Sequence, residues 1–237
     1  MGVMGMARWF RVSRGWLAAG VLVATALVLP HVVSTFWVRL VTGLVMWIAL
    51  AQTWNMIGGY TGLISFGQGA FFGVGAYVTA LLIERGWPFG AALVPALIFP
   101  ALLAGVIGLP TLRLRGAYFA IATWAFAEFM RQAALVAEVT GGSTGMRVRL
   151  ILDERVIYYI MLGTAVLWLA LAWWLLESRP FGLRLRAIRD HALAAEMLGI
   201  DTTRVKMQAF TLAAAVAGVF GGLYGVWITF LHPDSAL

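Results

Sequence analysis

The sequence contains no cysteine, one lysine and only three histidines. Without cysteine the chain has no disulfide framework, no thiol nucleophile and no thiolate metal site. The histidines, His31, His191 and His232, are far apart in sequence and show no metal-ligand spacing. The sequence therefore gives no indication of a disulfide-stabilised domain or of a metal centre.

Charge of either sign is also scarce. Charged residues make up 11% of the 237 residues, whereas an ordinary soluble domain contains roughly 25%. Hydrophobic residues reach 62% and the mean hydropathy is +0.90. So few polar side chains cannot cover a soluble protein of this size. The composition excludes a soluble globule and indicates that lipid surrounds most of the chain.

The formal net charge of +7 does not indicate a nucleic-acid partner. A nucleic-acid surface combines clustered basic residues with stackable aromatic residues on a soluble face. Here all but one of the 17 basic residues are arginines, and most lie in gaps between apolar runs. That distribution is typical of the cytoplasmic loops of membrane proteins.

Seven apolar runs are each about as long as the 20 residues that a helix needs to cross a membrane. They predict an all-α polytopic membrane protein whose residues 1–237 form a single transmembrane domain. A cleaved signal peptide is the alternative interpretation of the first run, but Pro30 closes that run without an A-x-A site. The predicted spans are 16–34, 37–57, 63–83, 89–109, 117–137, 156–176 and 207–231.

The arginines predict the orientation of these spans. With the N-terminus in the cytoplasm, 11 of the 17 basic residues fall in inside segments, among them Arg8, Arg11 and Arg14, and only five fall outside. Because cytoplasmic loops carry the excess of positive charge, we expect a cytoplasmic N-terminus and an external C-terminus.

The stretch 58–75 contains seven glycines and is a poor helix by propensity. One interpretation is close helix packing, because Ser65, Gly69 and Gly73 recur every four residues. The other is a broken or re-entrant segment that lines a polar path through the membrane. The candidate path residues near it are Asn55, Ser65 and Gln68. No G-x-x-x-x-G-K-[ST] motif exists in the chain, so a phosphate-binding loop is not predicted.

Two further spans contain unusual residues. Glu128 and Arg131 lie within the fifth span, three residues apart, so they share a helix face and can pair. Their pairing is compatible with an internal packing salt bridge and with a role in the path. In the last span, Gly218 and Gly222 continue a small-residue pattern that predicts helix packing.

The longest inside segment, 178–206, has helical periodicity. Ile188, His191, Ala195 and Leu198 fall on one face, and Gly199 lies where a helix would stop. The apolar face is small and alanine-rich, which favours docking into a protein groove, while anchoring at the lipid interface is the alternative.

Three stretches, 54–82, 113–146 and 181–210, together resemble one family. They look like the LivM-type permease subunits of branched-chain amino acid ABC importers. Within the third stretch, Ala194, Ala195, Glu196, Leu198 and Gly199 resemble the loop through which importer permeases contact their ATPases.

The resemblance implies a permease in the bacterial inner membrane that works by alternating access. It also implies four kinds of partner: a second permease subunit, two ATP-binding cassette ATPases, a periplasmic solute-binding protein and membrane lipid. ATP would be bound by the partner ATPases, so no cofactor is expected on this chain. Ala195 and Leu198 are expected in a groove of an ATPase, with Arg186 and Arg189 near acidic residues at its rim. Family members normally continue past His232 into further helices, which predicts that this chain is shortened at its C-terminus.

Branched-chain amino acids are the expected solutes, and urea or short-chain amides are the alternative within the same class of importer. A different class, an ion-coupled secondary carrier, requires a carboxylate on the path, for which Glu128 is the candidate. An intramembrane enzyme is not expected, because the spans contain no Ser/His or paired-Asp arrangement.

Overall fold

The fold is given by a computed structural model that describes residues 20–114, 116–148 and 152–236. Arg8, Arg11 and Arg14 lie outside the described residues, as does the beginning of the first predicted span.

Helices make up nearly all of the described structure. They are α1 (Gly20–Val32), α2 (Thr35–Thr61), α3 (Gln68–Glu84), α4 (Phe89–Thr111), α5 (Ala117–Val136), α6 (Glu154–Glu177), α7 (Pro180–Asp190), α8 (Ala192–Met197), α9 (Thr202–Ile228) and α10 (Pro233–Ala236). Two 3₁₀ turns, Glu138–Thr140 and Gly142–Thr144, precede the short strand β1 (Met146–Arg147), which pairs antiparallel with β2 (Phe230–Leu231).

Each of the seven predicted spans coincides with a helix, so the all-α polytopic prediction is confirmed. Four of these helices, α2, α4, α6 and α9, are long and apolar enough to cross a membrane by length and composition alone. The third span differs from its prediction, because α3 begins five residues later than the apolar run that starts at Leu63. Helix α9, which contains the last predicted span, begins earlier than predicted, because the Asp201 carboxylate accepts a hydrogen bond from the Arg204 N–H and caps the helix.

Close contact of α9 with α3 and α4 forms the centre of the molecule. A Cβ atom on Gly75 would lie 2.0 Å from the carbonyl oxygen of Gly218, and one on Gly218 would lie 2.2 Å from that of Ala96. A Cβ atom on Gly221 would lie 1.8 Å from the carbonyl oxygen of Phe72. The three helix backbones therefore approach to distances that only glycine permits.

The glycines singled out by the sequence lie in different environments. A Cβ atom on Gly222 would lie 2.4 Å from the Thr79 hydroxyl, which places Gly222 at the same packed centre. Gly73 is buried, but Gly69 is exposed and faces a cavity. The close crossing of α3 lies at Gly75, two residues beyond the predicted repeat. The repeat was derived from a helix that started too early, and contact with α9 decides which face of α3 turns inward.

Helix α1 is attached to α6 by two tyrosine hydroxyls. Pro30 has no N–H to donate to the carbonyl of Ala26, four residues earlier in the helix. The Tyr158 hydroxyl donates to that carbonyl at 2.6 Å, and the Tyr159 hydroxyl donates to the carbonyl of Leu27 at 3.0 Å. A side chain from a neighbouring helix thus satisfies a backbone oxygen that has no water to bind in lipid.

Salt bridges at opposite ends show which helix ends share a side of the molecule. Arg39 near the start of α2 pairs with Glu154 at the start of α6 at 2.6 Å. At the other side, Arg186 of α7 pairs with Glu177 at the end of α6 at 3.4 Å. Helices α2 and α6 therefore start on the same side of the molecule, and α7 lies at the side where α6 ends.

The packed centre leads to a stability prediction. In an ordinary helix, changing Gly to Ala stabilises by up to about 1 kcal/mol. At Gly218 the added methyl group meets the backbone oxygen of Ala96, so we expect Gly218→Ala to lower the thermal unfolding midpoint in detergent. Gly105→Ala is the control, because a Cβ atom there meets no atom within 4 Å. Equal midpoints for the two variants would contradict the close crossing.

Candidate functional site

The glycine-rich stretch 58–75 contains a break in the helical structure between α2 and α3. Helix α2 ends at Thr61, and Gly62 adopts a left-handed conformation with φ of +74°. Residues 62–67 are not helical, and α3 starts at Gln68. The broken-segment interpretation therefore describes residues 62–67, whereas close packing describes the later part of α3.

Hydrogen bonds from neighbouring helices hold this segment. The Trp54 indole Nε1–H donates to the carbonyl of Ser65 at 3.0 Å, and the Phe66 N–H donates to the hydroxyl oxygen of Thr123 at 3.1 Å. Trp54 lies seven residues before the end of α2, about 10 Å along its axis at 1.5 Å per residue. The segment therefore runs back alongside α2, and α3 begins inside the molecule.

Two glycines make room for the side chains that face this segment. A Cβ atom on Gly58 would lie 2.8 Å from the Trp54 ring, and one on Gly59 would lie 2.0 Å from the Asn55 Oδ1 atom. Because both positions are glycine, the Trp54 and Asn55 side chains can lie flat along the last turns of α2.

A cavity of about 430 Å³ lies between α2, α3 and α9, beside the start of α3. Its walls are mostly apolar and aromatic. The lining residues are Met46, Trp47, Leu50, Ala51, Thr53, Trp54, Gln68, Gly69, Phe72 and Tyr224.

Gln68 is the one predicted path residue that lines this cavity. The carbonyl and amino groups of its side chain are both buried and have no hydrogen-bond partner in the described part of the chain. Asn55 instead donates to the Gln52 side chain at 3.2 Å, and the buried Ser65 hydroxyl accepts from the Gly67 N–H at 3.3 Å. Asn55 and Ser65 shape the broken segment, and their role in a path stays a prediction.

Glu128 and Arg131 form the predicted pair on α5. The Arg131 Nε and Nη2 atoms donate to the two Glu128 carboxylate oxygens at 3.0 and 2.7 Å. Arg131 also pairs with Asp234 of α10, and the Gln132 amide donates to Glu128 at 2.8 Å. The cluster links α5 to α10 and lies outside the cavity lining. This geometry favours the packing interpretation.

The loop after α6 contains two helices where the sequence predicted one. His191 is extended, with φ of −158°, and separates α7 from α8. The predicted stop at Gly199 is confirmed: its φ is +81°, and the Ile200 N–H beyond it donates back to the carbonyl of Ala195 at 3.0 Å. The break at His191 means that the residues before and after it do not share one continuous face.

Helix α8 buries a different side than expected. Ala195 is 2% exposed and packs into the hydrophobic core of this chain, so it is not available to a groove on another protein. Ala194 and Leu198 are exposed, and Leu198 reaches 82%. Its exposed apolar neighbours are Leu193 at 56% and Met197 at 90%. We call Leu193, Met197 and Leu198 the α8 apolar patch.

Two arginines of this loop, Arg186 and Arg189, are bound within the chain. Arg189 donates to the carbonyl of Gly59 at 2.8 Å, at the end of α2. Arg186 pairs with Glu177 and donates to the carbonyl of Leu176 at 3.2 Å. Both side chains are still partly exposed, so their position at the rim of a partner's groove stays a prediction.

Glu196 accepts a hydrogen bond from the Thr202 hydroxyl at 2.6 Å. Since Thr202 is the first residue of α9, this bond joins α8 to the start of that helix. Together with the arginine contacts, it ties α7 and α8 to three spans.

The sequence did not single out most of the cavity residues. Met46, Leu50 and Tyr224 come from helices far apart in the chain, and no local pattern brings them together. Trp54 could be found from the sequence, because it precedes Gly58 by four residues, which is one helical turn, and a glycine at that spacing leaves room for the ring. Leu193 and Met197 were missed because the predicted face assumed an unbroken helix.

Comparisons with known proteins point to one family. Residues 36–236 match the family described as branched-chain amino acid transport system / permease component. The high-affinity branched-chain amino acid transport system permease proteins LivM of Salmonella typhimurium and Escherichia coli are each 32% identical over 247 residues. These alignments cover 90% of this chain and 58% of each relative.

A shorter similarity reaches another transporter. The guanosine ABC transporter permease protein NupQ of Bacillus subtilis is 36% identical over 72 residues, which is 29% of this chain and 20% of that protein. No solved structure matches the chain. The chain thus spans 58% of the length of the LivM relatives.

The broken segment can be tested at Thr123, which is fully buried. Thr123→Val keeps the shape but leaves the Phe66 N–H without its acceptor, which costs roughly 1–3 kcal/mol when the group is buried. We expect a lower thermal unfolding midpoint. Thr164→Val is the matched control, because the Thr164 hydroxyl bonds only the carbonyl of Ile160 in its own helix. A midpoint for Thr123→Val equal to that of the control would show that the bond does not hold the segment.

Proposed function

Because the chain belongs to the family of branched-chain amino acid transport permeases, we propose that it is a transmembrane subunit of an ATP-driven importer of branched-chain amino acids. The match along residues 36–236 carries this proposal. The chain is a multi-pass protein of the bacterial inner membrane, and its helices supply the spans that such a subunit requires.

The proposed partners are a second permease subunit, two ATP-binding cassette ATPases and a periplasmic solute-binding protein, all within membrane lipid. The ATPases bind and hydrolyse ATP, so this chain itself needs no cofactor and catalyses no reaction. The N-terminus and the α7–α8 loop lie in the cytoplasm, where the arginine-rich segments are expected.

Coupling to the ATPases is proposed to occur through residues 178–206. The α8 apolar patch is the surface available for docking: it includes Leu198, whereas Ala195 is buried within the chain. Arg189 connects α7 to Gly59, next to the broken segment, and Arg186 connects it to Glu177. Closure of the ATPases would move α8, and these contacts would transmit the movement to α2, α6 and α9. Work is transferred only if ATP and the solute favour different states of the permease.

An ion-coupled carrier is not favoured. Such a carrier needs a carboxylate on the path that exchanges protons or ions, but both Glu128 oxygens accept hydrogen bonds from Arg131. Uptake by an ABC importer instead depends on ATP hydrolysed by separate subunits.

Uptake into proteoliposomes tests the proposed function. The chain is purified with its co-expressed partners, reconstituted, and supplied with the binding protein and radiolabelled leucine. We expect leucine uptake when ATP is present on the side of the vesicle membrane where the ATPases are bound. We expect no uptake when a non-hydrolysable ATP analogue replaces ATP. Uptake driven by a proton or sodium gradient without ATP would support the ion-coupled alternative. ATP-driven uptake of urea but not of leucine would support the alternative solutes.

The α8 apolar patch leads to a coupling prediction. Met197→Asp and Leu198→Asp place a charge where a groove of the ATPase would bury it, and burying an unpaired charge is strongly unfavourable. We expect at least a tenfold loss of co-purified ATPase and of leucine uptake, with normal membrane insertion.

Val136→Asp is the control, since Val136 is 82% exposed at the far end of α5. Ala195→Asp should instead lower the stability of the chain, because Ala195 packs inside it. Wild-type co-purification in both patch variants would exclude the patch as the docking surface.

A further inference from the structure

Another cavity, of about 350 Å³, lies where the α7–α8 loop meets the ends of the spans. We call it the α7–α8 cleft. The residues that define it are Thr61, Leu63, Leu114, Arg189, His191 and Lys206. Thr61 is the last residue of α2, and Lys206 is the fifth residue of α9. Because both helices are long enough to cross the membrane, their ends place the cleft at the boundary between hydrocarbon and water.

The basic side chains of the cleft are accessible to a ligand. The Arg189 side chain is 46% exposed, His191 is exposed and Lys206 is half-buried. Asp190 is the one acidic residue that the described part of the chain contributes to the lining. With His191 neutral, Arg189 and Lys206 against Asp190 give the cleft a formal charge of +1. A group with a single negative charge would balance it.

Arg189 is held in position before any ligand binds. Its Nη1 atom donates to the carbonyl of Gly59 at 2.8 Å, and its Nε atom donates to the Asp190 carboxylate at 3.4 Å. A Cβ atom on Gly62 would lie 3.0 Å from the Arg189 Cγ atom, so the aliphatic part of the side chain lies against this glycine. A guanidinium has five N–H groups, and those beyond these two bonds can donate to a ligand. Its planar geometry suits the oxygens of a phosphate group.

The apolar residues around the cleft restrict the source of that phosphate. Leu63 and Leu114 belong to the same lining as Arg189. Exposed apolar side chains continue from it at Ile64, which follows Leu63, and at Ile121 of α5. A free phosphate ion would leave this surface uncovered. A phospholipid covers it with its acyl chains while its phosphate stays at the membrane boundary, and basic pockets between spans bind anionic headgroups in this way.

We propose that the α7–α8 cleft binds the phosphodiester of an anionic phospholipid such as phosphatidylglycerol. Arg189, Lys206 and the ring N–H of His191 bind the phosphate oxygens, and Leu63 and Leu114 contact the glycerol end of the acyl chains. The bound lipid joins the α7–α8 loop to the ends of α2 and α9. The inference does not depend on the identity of the solute, so it is tested without solute or ATP.

The first test changes the charge of the cleft in both directions. The affinity of the assembled, delipidated complex for phosphatidylglycerol is measured in detergent by native mass spectrometry. Since one basic residue contributes about fivefold to binding at an anionic lipid surface, we expect Lys206→Gln to weaken binding by about that factor. Asp190→Asn should strengthen binding at least twofold, because it removes the negative charge of the lining. A gain in affinity cannot result from misfolding.

Arg184→Gln is the matched control. Arg184 is an exposed residue of α7 that does not define the cleft, and its substitution removes the same charge as Lys206→Gln. We expect its affinity for phosphatidylglycerol to stay within twofold of wild type. Equal losses in Arg184→Gln and Lys206→Gln would show a general attraction between charges and would overturn the proposal. Unchanged affinity in both Lys206→Gln and Asp190→Asn would overturn it as well.

The second test locates the lipid and identifies its class. Because the chain has no cysteine, Leu114→Cys places a single thiol of this chain in the cleft. We expect phosphatidylglycerol to slow the reaction of this thiol with N-ethylmaleimide at least threefold in the assembled complex. It should not slow the reaction of Leu183→Cys, whose parent side chain is exposed on α7.

Phosphatidylcholine and inorganic phosphate separate the other occupants. Phosphatidylcholine has the same phosphate group, but its ammonium group cancels the charge, so we expect little protection of Leu114→Cys. Equal protection by both lipids would mean that apolar contact alone fills the cleft, and would overturn the proposal. Protection by millimolar inorganic phosphate equal to that by phosphatidylglycerol would assign the cleft to a free phosphate and would overturn the lipid site. Absence of protection by phosphatidylglycerol would leave the cleft to a protein partner and would also overturn it.

Discussion

Every backbone N–H and C=O group in the hydrocarbon core must find a partner inside the protein, and this constraint accounts for the least regular parts of the structure. Residues 62–67 leave the helix, yet their backbone is held by the Trp54 indole and the Thr123 hydroxyl. In α1, Tyr158 supplies the hydrogen bond that Pro30 cannot make. Irregular backbone is therefore found where neighbouring helices provide donors and acceptors.

The same constraint allows α3 to begin inside the molecule. Its first residues, Gln68 and Gly69, line the cavity, while the polar atoms of the Gln68 side chain are enclosed by protein. The rest of α3 is fixed by its glycine contacts with α9.

The loop between α6 and α9 shows how charged residues can stabilise the chain itself. Arg186 and Arg189 of α7 bind backbone and carboxylate groups at the ends of α6 and α2, while Met197 and Leu198 are exposed at the end of α8. The loop is thus fastened to the spans by polar contacts and offers Met197 and Leu198 outward. In the proposed coupling, the ATPases dock on the α8 apolar patch, and the contacts of Arg186 and Arg189 transmit their movement to α6 and α2.

The sequence by itself determined the solvent, the fold class, the approximate spans and the family. Those properties depend on composition, on long apolar runs and on local patterns such as the stop at Gly199, all of which persist along a single chain. It also indicated that the stretch 58–75 was unusual, but not which interpretation applied to which part.

Only the tertiary structure decided which faces turn inward. The sequence placed Ala195 on a docking surface, but contacts with the core of the chain bury it, and the extended backbone at His191 changes the direction of α8. The cavity combines Met46, Gln68 and Tyr224, which are separated by up to 178 positions and have no shared local pattern. Side-chain partners and cavities arise from packing between distant segments, and that information does not lie in any one stretch of the sequence.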